Sequence, residues 1–473
     1  MKKFPLFSII LSIVLAVNIF CIAALAEDRP EVQLGCSTLQ ARHPLAGTEA
    51  LLPSADGVIL FELNTKTLVY AFEPDARVNP SSMVKIMSAL VALENGKLDD
   101  VITVQRSTLD SVPIGSVSAG LLREEEVTLQ DLLYCCLVAS ANDATAVMAE
   151  HIAGSQEGFV DLMNEKAQQL GCRDTLFSNV NGLNDNIQYS TARDLAVITA
   201  AALENEVFAE IFGTVRYTMP ATNRSEERII YTTNYTMSED KVKGYLDERV
   251  NGGKTAAATQ TKRSLICTAE IGSARYLSVV MSADSVMSED NISVISFGSF
   301  KETELLLDHA QENYEVRQIL DDSQAFSQHP LLGGANDVVV SPLRDVFSVL
   351  PITYEDTDLQ FTADAQTAGL AAPLKAGTQL GTVRVSYRGI VVAECPLAAM
   401  FDVAKANTVI TPAAPIDPDE QETPVKGILK WILLGIVALA VLALIVLLSV
   451  RLIRNARIRD RHRKRKRNRR RSR

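Results

Sequence analysis

The chain has 473 residues, 47% of them hydrophobic and 6% aromatic, enough apolar material for one large core and a second folded domain, which excludes a disordered protein. The formal net charge is −11, but residues 451–473 hold 14 of the 46 basic side chains against one acidic residue, Asp460. The other 450 residues carry 32 basic and 56 acidic side chains, a net of −24, and so acidic a body argues against nucleic acid as its partner.

Lys2 and Lys3 precede a largely apolar run over 6–25 that closes on Ala24-Leu25-Ala26, so residues 1–26 read as a signal peptide cleaved after Ala26, with an uncleaved anchor as the alternative. Cys21 lacks the small residues before it that a lipidation site needs. From Gly57 the pattern predicts a strand over 57–62, a turn at Asn64-Thr65-Lys66 and a second strand over 67–72. After Pro80, apolar residues at Met83, Ile86, Met87, Leu90 and Val91 recur at helical spacing until Asn95-Gly96, so Ser82 starts a helix. Further helices are expected over 129–138, 144–152, 158–170 and 191–201, followed by strands over 228–232, 264–269 and 275–281 and a closing helix over 300–311. Strands, then helices, then strands over 45–312 imply an α+β class, with helices packed around a largely antiparallel sheet.

From 315 to 403 short strands split by Gly and Pro read as a small all-β domain. Residues 404–426 contain Pro412, Pro415, Pro418 and Pro424 among acidic residues and form an extended stalk. Residues 428–450 are apolar except for Lys430, long enough for a single transmembrane helix, and the basic tail over 451–473 places that end in the cytoplasm and the body outside. Directly behind a span, such a tail rests on anionic lipid headgroups rather than on nucleic acid.

Cys36, Cys135, Cys136, Cys172, Cys267 and Cys395, left after cleavage, show neither metal spacing nor a disulfide framework, and no cofactor or metal is expected. Cys135 and Cys136 lie in an apolar helical stretch and read as small buried hydrophobes. In the exported part, His43, His151, His309 and His329 offer no nucleophile-partner motif, which makes a Ser/His/Asp triad a poor fit. A serine nucleophile is served instead by a nearby desolvated lysine, and Ser82-Met83-Val84-Lys85 puts both on one helix face. By itself this spacing arises readily by chance. It is followed in order by Ser140-Ala141-Asn142, in a polar break between helices, and by Lys254-Thr255-Ala256, entering the strand region. The ordered trio is far more specific than any member.

With these motifs and their flanks, Pro80-Ser81-Ser82-Met83-Val84-Lys85, Ala139-Ser140-Ala141-Asn142-Asp143-Ala144, Met163-Asn164-Glu165-Lys166-Ala167 and Tyr189-Ser190-Thr191-Ala192-Arg193-Asp194-Leu195, the chain resembles the D-alanyl-D-alanine carboxypeptidases, the low-molecular-mass penicillin-binding proteins. The resemblance implies the penicillin-binding/β-lactamase-like transpeptidase fold and a peptidoglycan stem peptide ending in D-Ala-D-Ala as substrate. It further implies Ser82 as nucleophile, Lys85 as its base, Ser140 as proton relay and Asn142 as a ligand of the substrate amide. Lys254 and Thr255 would hold the terminal carboxylate, backbone N–H groups of Ser82 and Ala257 would stabilise the oxyanion, and β-lactam antibiotics would act as covalent inhibitors.

Ala256 departs from the family pattern, which has glycine there, and opens the alternative of a catalytically impaired wall-binding homologue. A β-lactamase is the weaker rival, since no acidic motif for a deacylating water lies between Ser140 and Lys254. The span and basic tail also depart from the amphipathic membrane-surface helix that often anchors the family.

Overall fold

The computed structural model describes residues 44–45, 51 and 53–406, except 184–185, 291–292 and 366–368. The expected signal peptide (1–26), the stalk beyond its first three residues, the span (428–450) and the basic tail (451–473) lie outside the described residues. Among the described residues no helix is long and apolar enough to cross a membrane.

Strand β1 (Gly57–Glu62) is apolar at nearly every position because both of its faces are covered. Ile59 and Phe61 point into a core shared with the helices; Val58 and Leu60 point into a second core on the opposite face. With β2 (Thr67–Phe72), β3 (Val250–Ala257), β4 (Lys262–Ile271) and β5 (Ala274–Asp284), it builds a five-stranded antiparallel sheet in the order β2-β1-β5-β4-β3. β3 ends this order, so one of its backbone edges is left to face the cleft.

The first core is filled by α1 (Val84–Asn95), entered through a 3₁₀ turn at Ser81–Met83, and by α2 (Leu129–Leu137), α3 (Asn142–Ala153), α4 (Gln156–Gln169) and α5 (Ala192–Ala202). α1 is apolar around most of its circumference and every residue from Val84 to Ala92 is buried, Lys85 among them. A helix of this kind belongs in the middle of a core, where its one cation is stripped of water. Thr128 caps α2 in a reciprocal capping box with Asp131, and Thr191 caps α5 by accepting from the Asp194 N–H. α6 (Gly298–Asn313) covers the far face of the sheet with Phe300, Leu306, Leu307 and Ala310. Short helices at Arg106–Ser111 and Glu206–Phe212 lack the repeats needed to be predicted from periodicity.

Beyond α6, β6 (Tyr314–Leu320) pairs with β9 (Val346–Pro351). A second antiparallel sheet joins β7 (Ser327–His329), β8 (Val338–Pro342), β12 (Ile390–Ala399), β11 (Gln379–Tyr387) and β10 (Leu359–Ala365), in that spatial order, around its own apolar cluster. Ser348 on β9 meets the Thr67 hydroxyl of β2 at 3.3 Å.

Candidate active site

Pro80 leads into Ser81, which sits at φ +47 immediately before Ser82; a non-glycine residue is seldom held there without support. That support is visible. The Ser81 N–H donates to Asn79 Oδ1 at 2.9 Å, and its hydroxyl donates to the Ala257 carbonyl at 2.9 Å, tying the turn that presents Ser82 to the edge strand β3.

In a 3₁₀ turn residues three apart eclipse, so Lys85 follows Ser82 on one side of the entry to α1. Its Nζ is wholly buried and donates to Asn142 Oδ1 at 2.9 Å and to the Asn181 carbonyl. Burial pushes its pKa down to about 8, opposed weakly by the Cys136 thiol. Ser140 lies in the turn between α2 and α3 at φ +63, buried, two residues before the Asn142 that opens α3. Among the described residues the hydroxyls of Ser82 and Ser140 form no hydrogen bond.

On β3 the side chains alternate. Ala256 packs into the helical core, so Lys254 and Ala256 face the helices, while Thr255 and Ala257 face the other side. Lys254 is also wholly buried; its Nζ donates to the Thr255 carbonyl at 2.8 Å. Burial first, and the Lys85 charge second, push its pKa down to about 7. The N–H and C=O of one strand residue point to the same edge. Since the Ala257 carbonyl accepts from Ser81, its N–H also faces the cleft rather than β4, and Ala258 is the residue whose N–H reaches back, to Lys262 O at 3.1 Å. The Ala256 methyl breaks nothing in this strand: the pairing of β3 with β4 runs without a shift from Gly252 to Ala257. Thr255 Oγ1 meets Thr233 Oγ1 at 2.6 Å.

Sequence reasoning missed the wall beneath Ser82. Gly182, at φ +78, lies so close that a β-carbon there would stand 1.9 Å from the Ser81 carbonyl oxygen. Asn181, beside it, supplies the carbonyl that receives Lys85. Asn164 on α4 holds the start of this loop by pairing with both backbone groups of Phe177, and Asn179 accepts from the Gly182 N–H at 2.7 Å. The Asn181-Gly182 dipeptide is a turn signal, yet nothing in the one-dimensional pattern says that the turn lies under Ser82. Asp143 was also missed: its carboxylate accepts from Ser118 Oγ and from the Ala119 and Leu121 N–H groups, fastening that loop beside Asn142. Cys136, read as a plain buried hydrophobe, sits with its sulfur 4.0 Å from the Lys85 carbonyl, its thiol pushed up by burial.

The family profile described as D-alanyl-D-alanine carboxypeptidase matches residues 47–285, just over half the chain. This chain belongs to that family. It is 30% identical over 365 residues to the D-alanyl-D-alanine carboxypeptidase DacF of Bacillus subtilis, covering 76% of this chain and 89% of the relative. The DacA carboxypeptidase of Haemophilus influenzae is 29% identical over 389 residues, covering 80% and 92%. Among solved structures, penicillin binding protein 5 from Haemophilus influenzae superposes with a TM-score of 0.61 at 26% identity, over 76% of this chain and all of that one. The chain is thus an enzyme of the carboxypeptidase family on the penicillin-binding-protein fold, α+β with antiparallel sheets.

Proposed function

We propose that the protein is a serine-type D,D-carboxypeptidase that removes the terminal D-alanine from peptidoglycan stem peptides through an acyl-enzyme on Ser82. The observation that carries this reading is the wholly buried Lys85, one turn from Ser82, held between Asn142 and the Asn181 carbonyl with its pKa lowered to about 8. A lysine at that value supplies a useful fraction of free amine near neutral pH, which an exposed lysine does not.

In the forward step Ser82 Oγ attacks the carbonyl between the two D-alanines as its proton passes to Lys85. Charge gathers on the carbonyl oxygen, facing the N–H groups of Ser82 and Ala257, fixed dipoles that need no reorganisation. The C–N bond breaks as Ser140 relays a proton to the departing D-alanine nitrogen, and Asn142 holds the substrate amide. Water then adds to the acyl carbonyl, giving the proton it loses to the lysine amine, which passes it to Ser82 Oγ as the ester C–O bond breaks and the shortened peptide leaves. Lys254 and Thr255 bind the terminal carboxylate. Penicillin acylates the same serine and leaves slowly because its ring fragment stays attached.

The proposal extends to organisation: a leader over 1–26, a catalytic domain over 45–312, a β domain over 315–403 and a stalk over 404–426. A span over 428–450, with the basic tail over 451–473 on cytoplasmic lipid, would leave the active site outside the membrane.

Labelled penicillin with Ser82→Ala as control tests the nucleophile. Label on the wild type alone supports it, and equal label on the variant refutes it. Release of D-alanine from a stem-peptide analogue tests turnover; label without release would favour the impaired homologue instead.

A further inference from the structure

Ser88 is wholly buried in the middle of α1, three residues beyond Lys85 on the same side of the helix. A serine inside a helix ordinarily returns its hydroxyl to the carbonyl four residues back. Here that acceptor, the Val84 carbonyl, stands at 3.3 Å, while the Val180 carbonyl, in the loop between α4 and α5, stands at 2.5 Å. The hydroxyl has one proton to donate, and the shorter contact takes it out of the helix. The Met163 sulfur, 3.7 Å away on α4, closes another side but is a weak acceptor.

The loop is thereby set in register along the start of α1. Ser88 holds Val180, Lys85 donates to Asn181, and Gly182 lies against Ser81. The Asn181 carbonyl belongs to the same planar peptide as the Gly182 N–H, and only the two dihedrals of Asn181 join it to the peptide that carries the Val180 carbonyl. Ser88 pins the second of these planes, and Asn179 Oδ1 pins the first through the Gly182 N–H at 2.7 Å. Bracketed in this way, the Asn181 carbonyl has little freedom to turn from the lysine.

None of the contacts of the Ser88 hydroxyl is a group placed to meet substrate, so any effect on the reaction must pass through the Lys85 amine. The groups that act on that amine from other elements, Asn142 on α3, Cys136 on α2 and Lys254 on β3, are not among those contacts either. The Asn181 carbonyl is the route left from Ser88 to Lys85 Nζ.

Resting on the carboxypeptidase reading above, we infer that Ser88 is a positioning residue: by holding the Val180 carbonyl it aims the next carbonyl, that of Asn181, at Lys85 and so places the amine to take the Ser82 proton. The test follows acylation of the full chain by a fluorescent penicillin in stopped flow across a pH series, with a melting temperature for each variant. The wild-type rate should rise with pH to a plateau as Lys85 becomes the free amine. Ser88→Ala should lower that plateau by about tenfold or more. Its rising limb should also move to lower pH, because the ammonium loses an acceptor while it stays buried. A role confined to packing would lower the melting temperature and leave the limb in place. Ser88→Thr keeps the hydroxyl and should restore both plateau and limb. Ser88→Cys, a weaker donor of similar size, should fall between, and it carries the test should the alanine variant not fold. A wild-type plateau in the alanine variant, or a limb that stays or moves to higher pH, would overturn the inference and leave the peptidase reading standing. A wild type that takes up no penicillin would sink that reading, and this inference with it.

Discussion

In a Gly182→Ala variant the new β-carbon would stand 1.9 Å from the Ser81 carbonyl oxygen, 2.3 Å from its carbon and 2.9 Å from the Ser82 nitrogen. Real β-carbons essentially never come within 3.0 Å of a non-bonded heavy atom, so the loop or the Ser81–Ser82 peptide must recede by about 1 Å. Neither retreats freely: Asn179 and Asn181 pin the loop, and the Ser81 bond to Ala257 pins the turn. A 1 Å misplacement of a reacting group costs roughly 10²-fold in rate. Alanine at φ +78 adds about 1–2 kcal/mol of backbone strain. Gly154 separates the two effects, since it has the same φ of +78 and nothing within 4 Å of its added β-carbon. Stopped-flow acylation by a fluorescent penicillin should therefore show Gly182→Ala slowed about 10²-fold and Gly154→Ala unchanged, with melting temperature lowered in both. Acylation of Gly182→Ala within about threefold of wild type, or an equal loss in Gly154→Ala, would refute the steric argument.

The acylation rate should climb as pH rises through about 8, where Lys85 becomes the free amine, while KM for a carboxylate substrate should worsen above about 7 as Lys254 loses its charge; a pH series of kcat and KM separates the two limbs. The stability sign is also defined: the folded state sheds these protons near 7 and 8, and the unfolded chain holds them to the ordinary lysine value of 10.5, so their contribution to stability rises with pH across that window. Lys254→Met, which cannot titrate, should flatten that slope in melting curves recorded against pH. Asp143→Ala should release the 118–121 loop, costing about 1–3 kcal/mol in denaturant unfolding and slowing acylation through Asn142. Ala256→Gly should lower stability by about 0.5–1 kcal/mol and leave penicillin acylation within a few-fold, because the methyl packs toward the helical core rather than into the cleft.

Local periodicity carried the regular elements. Strands β1 and β2 occupy 57–62 and 67–72 as the apolar runs around Asn64-Thr65-Lys66 predict, and α1 ends at Asn95 where Asn-Gly interrupts its apolar repeat. The helices expected over 129–138, 144–152, 158–170 and 191–201 are present, with ends displaced by one or two residues as caps and turns take over. Helices of six and seven residues and the strands Val101–Thr103 and Val286–Met287 went unread, because one or two turns or two or three strand positions are too few for a period to emerge, whereas the strand expected over 228–232 is present as Arg228–Tyr231.

The sequence by itself determined the nature of the chemistry to be sought, because a serine and a lysine three apart at a helix entry are neighbours by helical geometry alone, and motif order along the chain needs no folding to be seen. Only the tertiary structure decided the environment. Lys85 is a stronger acid than an ordinary lysine because α1 is enclosed by the sheet and the surrounding helices, Lys254 because it is buried beside a second cation, and the Ala257 N–H faces away from β4 because β3 is an edge strand. The approach of Gly182 to Ser81 and the bond from Ser81 to Ala257 join residues about 100 to 180 positions apart in the chain, and separations of that kind leave no periodic trace in a single sequence.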